Sequence, residues 1–213
     1  MNKRNYQKEL DTIIQNMESK REGDDAPSLL LHSCCAPCSS YTLEYLSRYF
    51  RITVLYFNPN IMRIAEYEKR VAEQQRLIEI LNAKQETLNQ ISFVPGRYDP
   101  REFVEAVKGM ETEPEGGKRC RICYTLRLRE AVIMAKAGGF DYFCTTLSIS
   151  PLKHADWLNE IGSELSSEYG VKWLPSDFKK KGGYKRSIEL SREYDLYRQN
   201  FCGCEYSRKK END

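Results

Sequence analysis

Seven of the eight cysteines in this chain fall in three tight knots: Cys34, Cys35 and Cys38 in HSCCAPC, Cys120 and Cys123 in RCRIC, and Cys202 and Cys204 in FCGC. Thiols gathered so densely from three distant stretches are most simply explained by a metal centre. Any fold compatible with that reading must bring the chain back to one place three times.

Length and composition leave room for such a fold. A chain of 213 residues, 40% apolar and 30% charged with a mean hydropathy of -0.65, reads as an ordinary globular protein with a real core. No apolar run approaches the roughly 20 residues that span a bilayer. The basic start MNKRNYQKELDTIIQNMESKRE has no apolar signal-peptide core, which predicts a cytoplasmic protein. Cytosolic thiols are kept reduced, so these spacings suggest metal or redox chemistry rather than a disulfide framework. Net charge is only +2, yet the cations cluster. Lys118, Arg119, Arg121, Arg127 and Arg129 surround the second knot, and Lys179, Lys180, Lys181, Lys185 and Arg186 precede the third. Such a face suits a polyanion, and solvated loop charge is the plainer alternative.

Periodicity predicts an α/β fold. Leu10, Ile13, Ile14 and Met17 sit at helical spacing ahead of a polar, breaker-rich linker, giving an N-terminal helix and linker over 1–27. SLLLHSCC reads as a buried parallel strand, and CAPCSSYTLEYLSRYF turns directly into a helix because Pro37 is tolerated in a first turn. The alternation continues. RITVLYFNPN, ISFVPG, DYFCTTLSIS and VKWLPSDF read as strands. Helices are expected in IAEYEKRVAEQQRLIEILNAK, in REFVEAVKGM, around Leu128 to Ala135 with Gly138 and Gly139 as stops, and in WLNEIGSELSSEYG. The predicted architecture is a three-layer α/β sandwich with a mostly parallel sheet over 28–178. A basic loop, a helix and the CGC segment follow over 179–213. That last helix is expected to carry Leu190, Tyr194, Tyr197 and Phe201 on one stripe and to deliver FCGC to the site. The whole chain is read as one domain. In open parallel sheets sites form beyond the carboxyl ends of strands, and HSCC, YFNPN, VPGRYD, TTLSIS and PSDF all occupy such ends.

The cysteines admit more than one tenant. Zinc is the commonest occupant of CxxC pairs such as Cys35 with Cys38 and Cys120 with Cys123. Seven thiols exceed one zinc and suit an iron–sulfur cluster with a further metal beside it. Direct CxxC thiol-disulfide chemistry is a third reading. Gly203 leaves the backbone free to fold tightly between Cys202 and Cys204. Asp99 and Asp177 are the carboxylates placed to add hard oxygen to a coordination shell, and each also fits an N-cap. Cys144, alone in an apolar strand, reads as a small buried hydrophobe. His32 is either a donor beside the knot or a packed strand-end residue. No HExxH, Ser-His-Asp order or GxxxxGK[ST] loop is present, so hydrolase and triphosphatase readings have no motif behind them. Tyr184, Lys185, Arg186 and Arg198 form an arginine and aromatic mixture able to grip or stack on nucleic acid.

HSCCAPC, YFNPNI with the following EYEKR, RYDPREF, RCRICYTLRLREAV, TTLSISPLK and YRQNFCGCEYS together resemble the QueH family of epoxyqueuosine reductases, from about Leu29 to Ser207. The resemblance implies a PP-loop/HUP-like fold and reduction of epoxyqueuosine to queuosine in tRNA, the last step of queuosine formation. It also implies an iron–sulfur cluster, taken as [4Fe-4S], with an adjacent mononuclear iron. Cys34, Cys35, Cys38, Cys120, Cys123, Cys202 and Cys204 become the expected metal ligands. The substrate becomes a tRNA with a GUN anticodon carrying epoxyqueuosine, served by an unidentified electron donor. Asp99, His32 and Tyr98 are the candidates by position for proton delivery, and Lys179, Lys180, Lys181, Lys185 and Arg186 for RNA binding. A monomer is expected. Cys144 stands where the family tends to carry threonine, and the opening residues and KEND tail lie outside the likeness.

Overall fold

A computed structural model describes residues 4–20, 26–84 and 89–208. Residues 21–25 of the expected linker, and the tail beyond 208, lie outside them. Five strands, β1 (Ser28–His32), β2 (Arg51–Tyr56), β3 (Ser92–Pro95), β4 (Tyr142–Thr145) and β5 (Lys172–Trp173), form one sheet in the order β3-β2-β1-β4-β5. Every pairing is parallel, so the expected mostly parallel sheet is parallel throughout the described residues. β1 is central: Leu29, Leu30 and Leu31 are buried among neighbours on both sides, which is why it reads as a continuous apolar run.

Among the described residues seven helices flank the sheet: α1 (Tyr6–Lys20), α2 (Ala36–Leu46), α3 (Ile64–Ala83), α4 (Pro100–Ala106), α5 (Lys118–Ala137), α6 (Ala155–Tyr169) and α7 (Gly183–Glu193). α2 packs with α3 and α7, and α5 packs with α4 and α6, in keeping with a three-layer sandwich. One apolar cluster runs from Leu10 of α1 through the strands to Leu190 of α7. Because β1 is followed by β2 on one side and bordered by β4 on the other, crossovers diverge at its carboxyl end. That opening is the switch point of the sheet.

Three segments depart from expectation. RCRIC lies inside the first turns of α5, so that helix begins well before Leu128. TTLSIS ends its strand at Thr145 and continues as a 3-10 turn, Thr146–Ile149, held by Thr145 Oγ1 accepting from the Leu147 amide. The final helix stops at Glu193, and Tyr197 and Phe201 lie beyond it. The reason is competition for backbone groups. Arg76 of α3 donates to the carbonyls of Tyr194 and Asp195, Glu73 accepts from the Tyr197 amide, and Asp195 takes a left-handed φ of 48°. Irregular chain, pinned by α3, thus delivers the last cysteine pair.

Candidate metal centre

The first knot sits where β1 turns into α2. Cys35 is the extended N-cap residue, Pro37 occupies the first turn, and Cys38 follows one residue later. No side chain caps this helix start, so its amides and the positive end of its dipole are left beside the thiols. The sulfurs of Cys34, Cys35 and Cys38 all lie within 4.8 Å of one another, with Cys34 Sγ and Cys35 Sγ 3.9 Å apart. Tetrahedral thiolate ligation at about 2.3 Å places sulfurs ~3.8 Å apart, so the triad fits a single thiophilic ion.

The three thiols of the triad share their protons unequally. Hydrogen bonds from Cys35 and Cys38 hold the Cys34 thiol well below its usual range, with Arg127 and Thr146 adding to the effect. Sharing with the same sulfur pushes Cys35 up to about 12 and Cys38 well above the ordinary thiol value. One thiolate is easily formed, and two more need a positive charge between them.

The second and third knots meet nearby. Cys120, Cys123, Cys202 and Cys204 line one small cavity. Cys120 and Cys123 come from the start of α5, where the Gly116 amide donates to Cys120 Sγ at 3.2 Å. Hydrogen bonding with Cys204, together with Lys153 and Ser207, holds Cys202 well below the thiol range, while Cys204 is pushed up by the same pairing. Gly203 separates the two at φ +101°, and a Cβ there would stand 2.6 Å from Ile61 Cγ1. Cys202 also lines a larger cavity of about 370 Å³ together with Cys34, Cys35 and Cys38. The seven thiols therefore line two cavities that share Cys202, Arg127 and Lys153, whereas Cys144 is buried in β4 with its thiol donating to the Leu174 carbonyl at 3.2 Å.

Arg127 joins the two groups of thiols. It is 3% exposed, donates to His32 Nε2 at 3.3 Å, to Asn58 Oδ1, and to Cys123 Sγ at 3.8 Å. His32 is fully buried, 2.8 Å from Thr145 Oγ1 and 2.9 Å from the Phe57 carbonyl. Burial, with the charge of Arg127, lowers its pKa to about 3, so the ring is neutral at physiological pH. Asp99 is the N-cap of α4 and forms an ion pair with Arg101 at 2.7 Å, which lowers its carboxyl to about 2. Tyr98 donates to the Ile61 carbonyl at 3.0 Å. None of His32, Tyr98 and Asp99 lines either cavity. Asp177 is paired with Lys179 at 2.6 Å.

Much of the basic cluster is engaged internally. Besides Lys179 with Asp177, Lys181 pairs with Asp11 and Arg186 with Glu44, each at 2.6 Å. Lys180 is exposed, as is Arg198 at the larger cavity, and Lys185 is exposed with a long pairing to Glu189 at 3.9 Å. Around the second knot Arg119 is buried and donates to the carbonyls of Met110, Glu111 and Glu113, closing the loop before α5.

Sequence reasoning did not single out Arg70 or the pair Lys153–Glu115. Arg70 is buried in α3, bonds Glu66 at 2.7 Å and donates to the Phe201 and Cys202 carbonyls, anchoring the third knot. Its position in EYEKR, spaced to pair with Glu66 one turn earlier, was the available signal. Lys153 lines both cavities and pairs with Glu115 at 2.7 Å.

A parallel α/β sheet whose switch point is ringed by thiols defines an α/β protein with a sulfur-rich strand-end site able to hold a metal. The sequence model of the epoxyqueuosine reductase QueH family matches residues 29–210. The chain is 46% identical over 200 residues to an epoxyqueuosine reductase QueH of Streptococcus pyogenes serotype M1, covering 93% of this chain and 78% of the relative. It is 42% identical over 209 residues to that of Staphylococcus epidermidis, covering 97% and 86%. For that of Thermotoga maritima the identity is 33% over 183 residues, covering 84% and 90%. The chain belongs to the QueH family of epoxyqueuosine reductases. Among its described residues no helix is long and apolar enough to cross a membrane.

Proposed function

We infer that this protein is an epoxyqueuosine reductase, an oxidoreductase of tRNA modification that converts epoxyqueuosine to queuosine in a tRNA with a GUN anticodon. The observation that carries the reading is the convergence of seven thiols beside a base-sized cavity in a chain of this family. The reaction turns an epoxide into an alkene: two electrons and two protons enter, both carbon–oxygen bonds break, and the oxygen leaves as water. The electrons come from a donor that the chain itself does not supply.

The cofactor reading follows the donor set. Cys34, Cys35 and Cys38 would hold one iron, which could supply a Lewis acid at the cavity. Cys120, Cys123, Cys202 and Cys204 are a four-thiol set of the kind that holds a [4Fe-4S] cluster. When bound, such a pair supplies single-electron transfer and a Lewis acid for an oxygen atom.

The chain's own groups do the rest. Arg127 bonds Cys123 of the four-thiol set directly and, through its buried bond to His32, braces the strand end that carries the triad. Lys153, facing the cavity and backed by Glu115, is assigned the role of hydrogen-bond donor to the leaving oxygen, with His32 and Asp99 serving as buttress and helix cap. Lys180, Lys185 and Arg198 are assigned to tRNA phosphates, since Lys179, Lys181 and Arg186 already hold carboxylates. A monomeric, cytoplasmic, single-domain enzyme completes the proposal.

The test is anaerobic incubation of the iron-loaded protein with epoxyqueuosine-containing tRNA and a chemical reductant, reading the nucleoside by mass. Conversion with a brown, iron-containing protein supports the assignment. A colourless zinc protein that binds the tRNA and leaves the epoxide intact overturns it.

A further inference from the structure

Four large apolar side chains are exposed among the described residues, and two of them, Leu152 at 63% and Tyr184 at 39%, line the cavity bordered by the thiol triad. They come from different elements: Tyr184 from the first turn of α7, and Leu152 from the loop that follows the 3-10 turn. Apolar surface left in water at the mouth of a site is stabilised when a ligand covers it. The cavity, about 370 Å³, is within the size range of small-molecule sites.

A polar observation points the same way. Gln199 lines this cavity, and its Oε1 is buried without a hydrogen-bond partner. A buried acceptor left unpaired is costly, so its natural complement is a ligand donor. A guanine-like base presents N1–H and an amino group side by side as donors, together with two planar apolar faces.

We propose that Tyr184 and Leu152 form the slot for the modified guanine base of the substrate nucleoside, and that Gln199 Oε1 accepts from its donor edge. The slot holds the splayed-out base while its cyclopentane arm reaches the thiols. This rests on the reductase reading, and it adds a specificity device to it: adenine-like and pyrimidine bases lack that pair of adjacent donors.

The experiment uses the full, iron-loaded chain and epoxyqueuosine-containing tRNA, measuring KM, kcat, iron content and melting midpoint for Tyr184→Ala, Tyr184→Phe, Leu152→Ala and Gln199→Leu. Loss of a base-stacking ring predicts a KM about five- to 150-fold higher for Tyr184→Ala, with Tyr184→Phe restoring it. Leu152→Ala raises KM by about three- to tenfold. Gln199→Leu raises it about five- to 150-fold. Iron content and melting stay at the wild-type level in the Tyr184 and Leu152 variants. An unchanged KM in Tyr184→Ala, or a phenylalanine that fails to rescue, overturns the slot while a converting wild type keeps the reductase reading. If the wild type itself converts nothing, that reading falls instead. The slot is then judged on free 7-deazaguanosine: weaker binding to Tyr184→Ala than to Tyr184→Phe supports it, and equal binding overturns it.

Discussion

Sulfur does opposite things at two points only a strand apart. Cys34, hydrogen-bonded by its neighbours, is the thiol of its knot that ionises first, whereas burial pushes the Cys144 thiol up to about 12. Reactivity follows the thiolate, so Cys144 should resist iodoacetamide in the folded protein and react only on unfolding. Mass mapping of the alkylated cysteines checks this, and Cys144→Thr should retain iron and activity at a stability change below about 2 kcal/mol. A carboxylate gives a second residue-scale prediction. Asp141 accepts from the Ser28 amide and hydroxyl, both at 2.8 Å, and these bonds lower its pKa below the usual carboxyl value. A lowered carboxyl binds fewer protons folded than unfolded. Its stabilisation is therefore full above the unfolded value of about 3.9 and fades as pH falls through the folded one. Urea midpoints measured against pH should show a shallower acid limb in Asp141→Asn.

At the scale of elements, helix starts and pinned loops position the ligands. α2 and α5 both begin at cysteine knots, and the sequence made the first legible through Pro37 at a helix start. The second was hidden because Lys118 to Cys123 carries no apolar stripe: Arg119 turns to loop carbonyls, and the buried contacts of the stretch come largely from its cysteines. The end of α7 was misread for a related reason. Tyr194, Tyr197 and Phe201 keep helical spacing, yet Arg76, Glu73 and Arg70 of α3 capture the backbone beyond Glu193. Gly203 is the position where this irregular path is most constrained. Gly203→Ala meets both a disfavoured φ and the Ile61 side chain, so we expect the Cys202–Cys204 pair to shift. Iron content per chain after anaerobic reconstitution should fall by at least about half, with the far-ultraviolet dichroism of the sheet and helices retained.

For the whole molecule the relevant quantity is how charge is distributed once ion pairs are subtracted. Lys180, Lys185 and Arg198 remain exposed, Lys185 with only a long 3.9 Å pairing to Glu189, while three of their neighbours are held by carboxylates at 2.6 Å. Replacing all three with serine should reduce the slope of log K against log salt for tRNA by about 2, given roughly 0.7 per single-strand phosphate contact. Replacing Lys181 alone should leave that slope unchanged, since its charge is spent on Asp11 of α1. Affinity measured over a range of salt concentrations distinguishes the two outcomes.

By itself the sequence determined the parallel α/β class, the identity of the clustered thiols and the family, because alternating apolar runs and dense cysteine spacing are local patterns that survive in one dimension. Tertiary structure alone decided which thiols share a cavity, which lysines are already paired, and that Arg70, Arg127 and Lys153 surround the site. Those facts depend on contacts between residues far apart along the chain. A charged side chain carries no mark in the sequence of whether its partner is a carboxylate across the fold or the solvent.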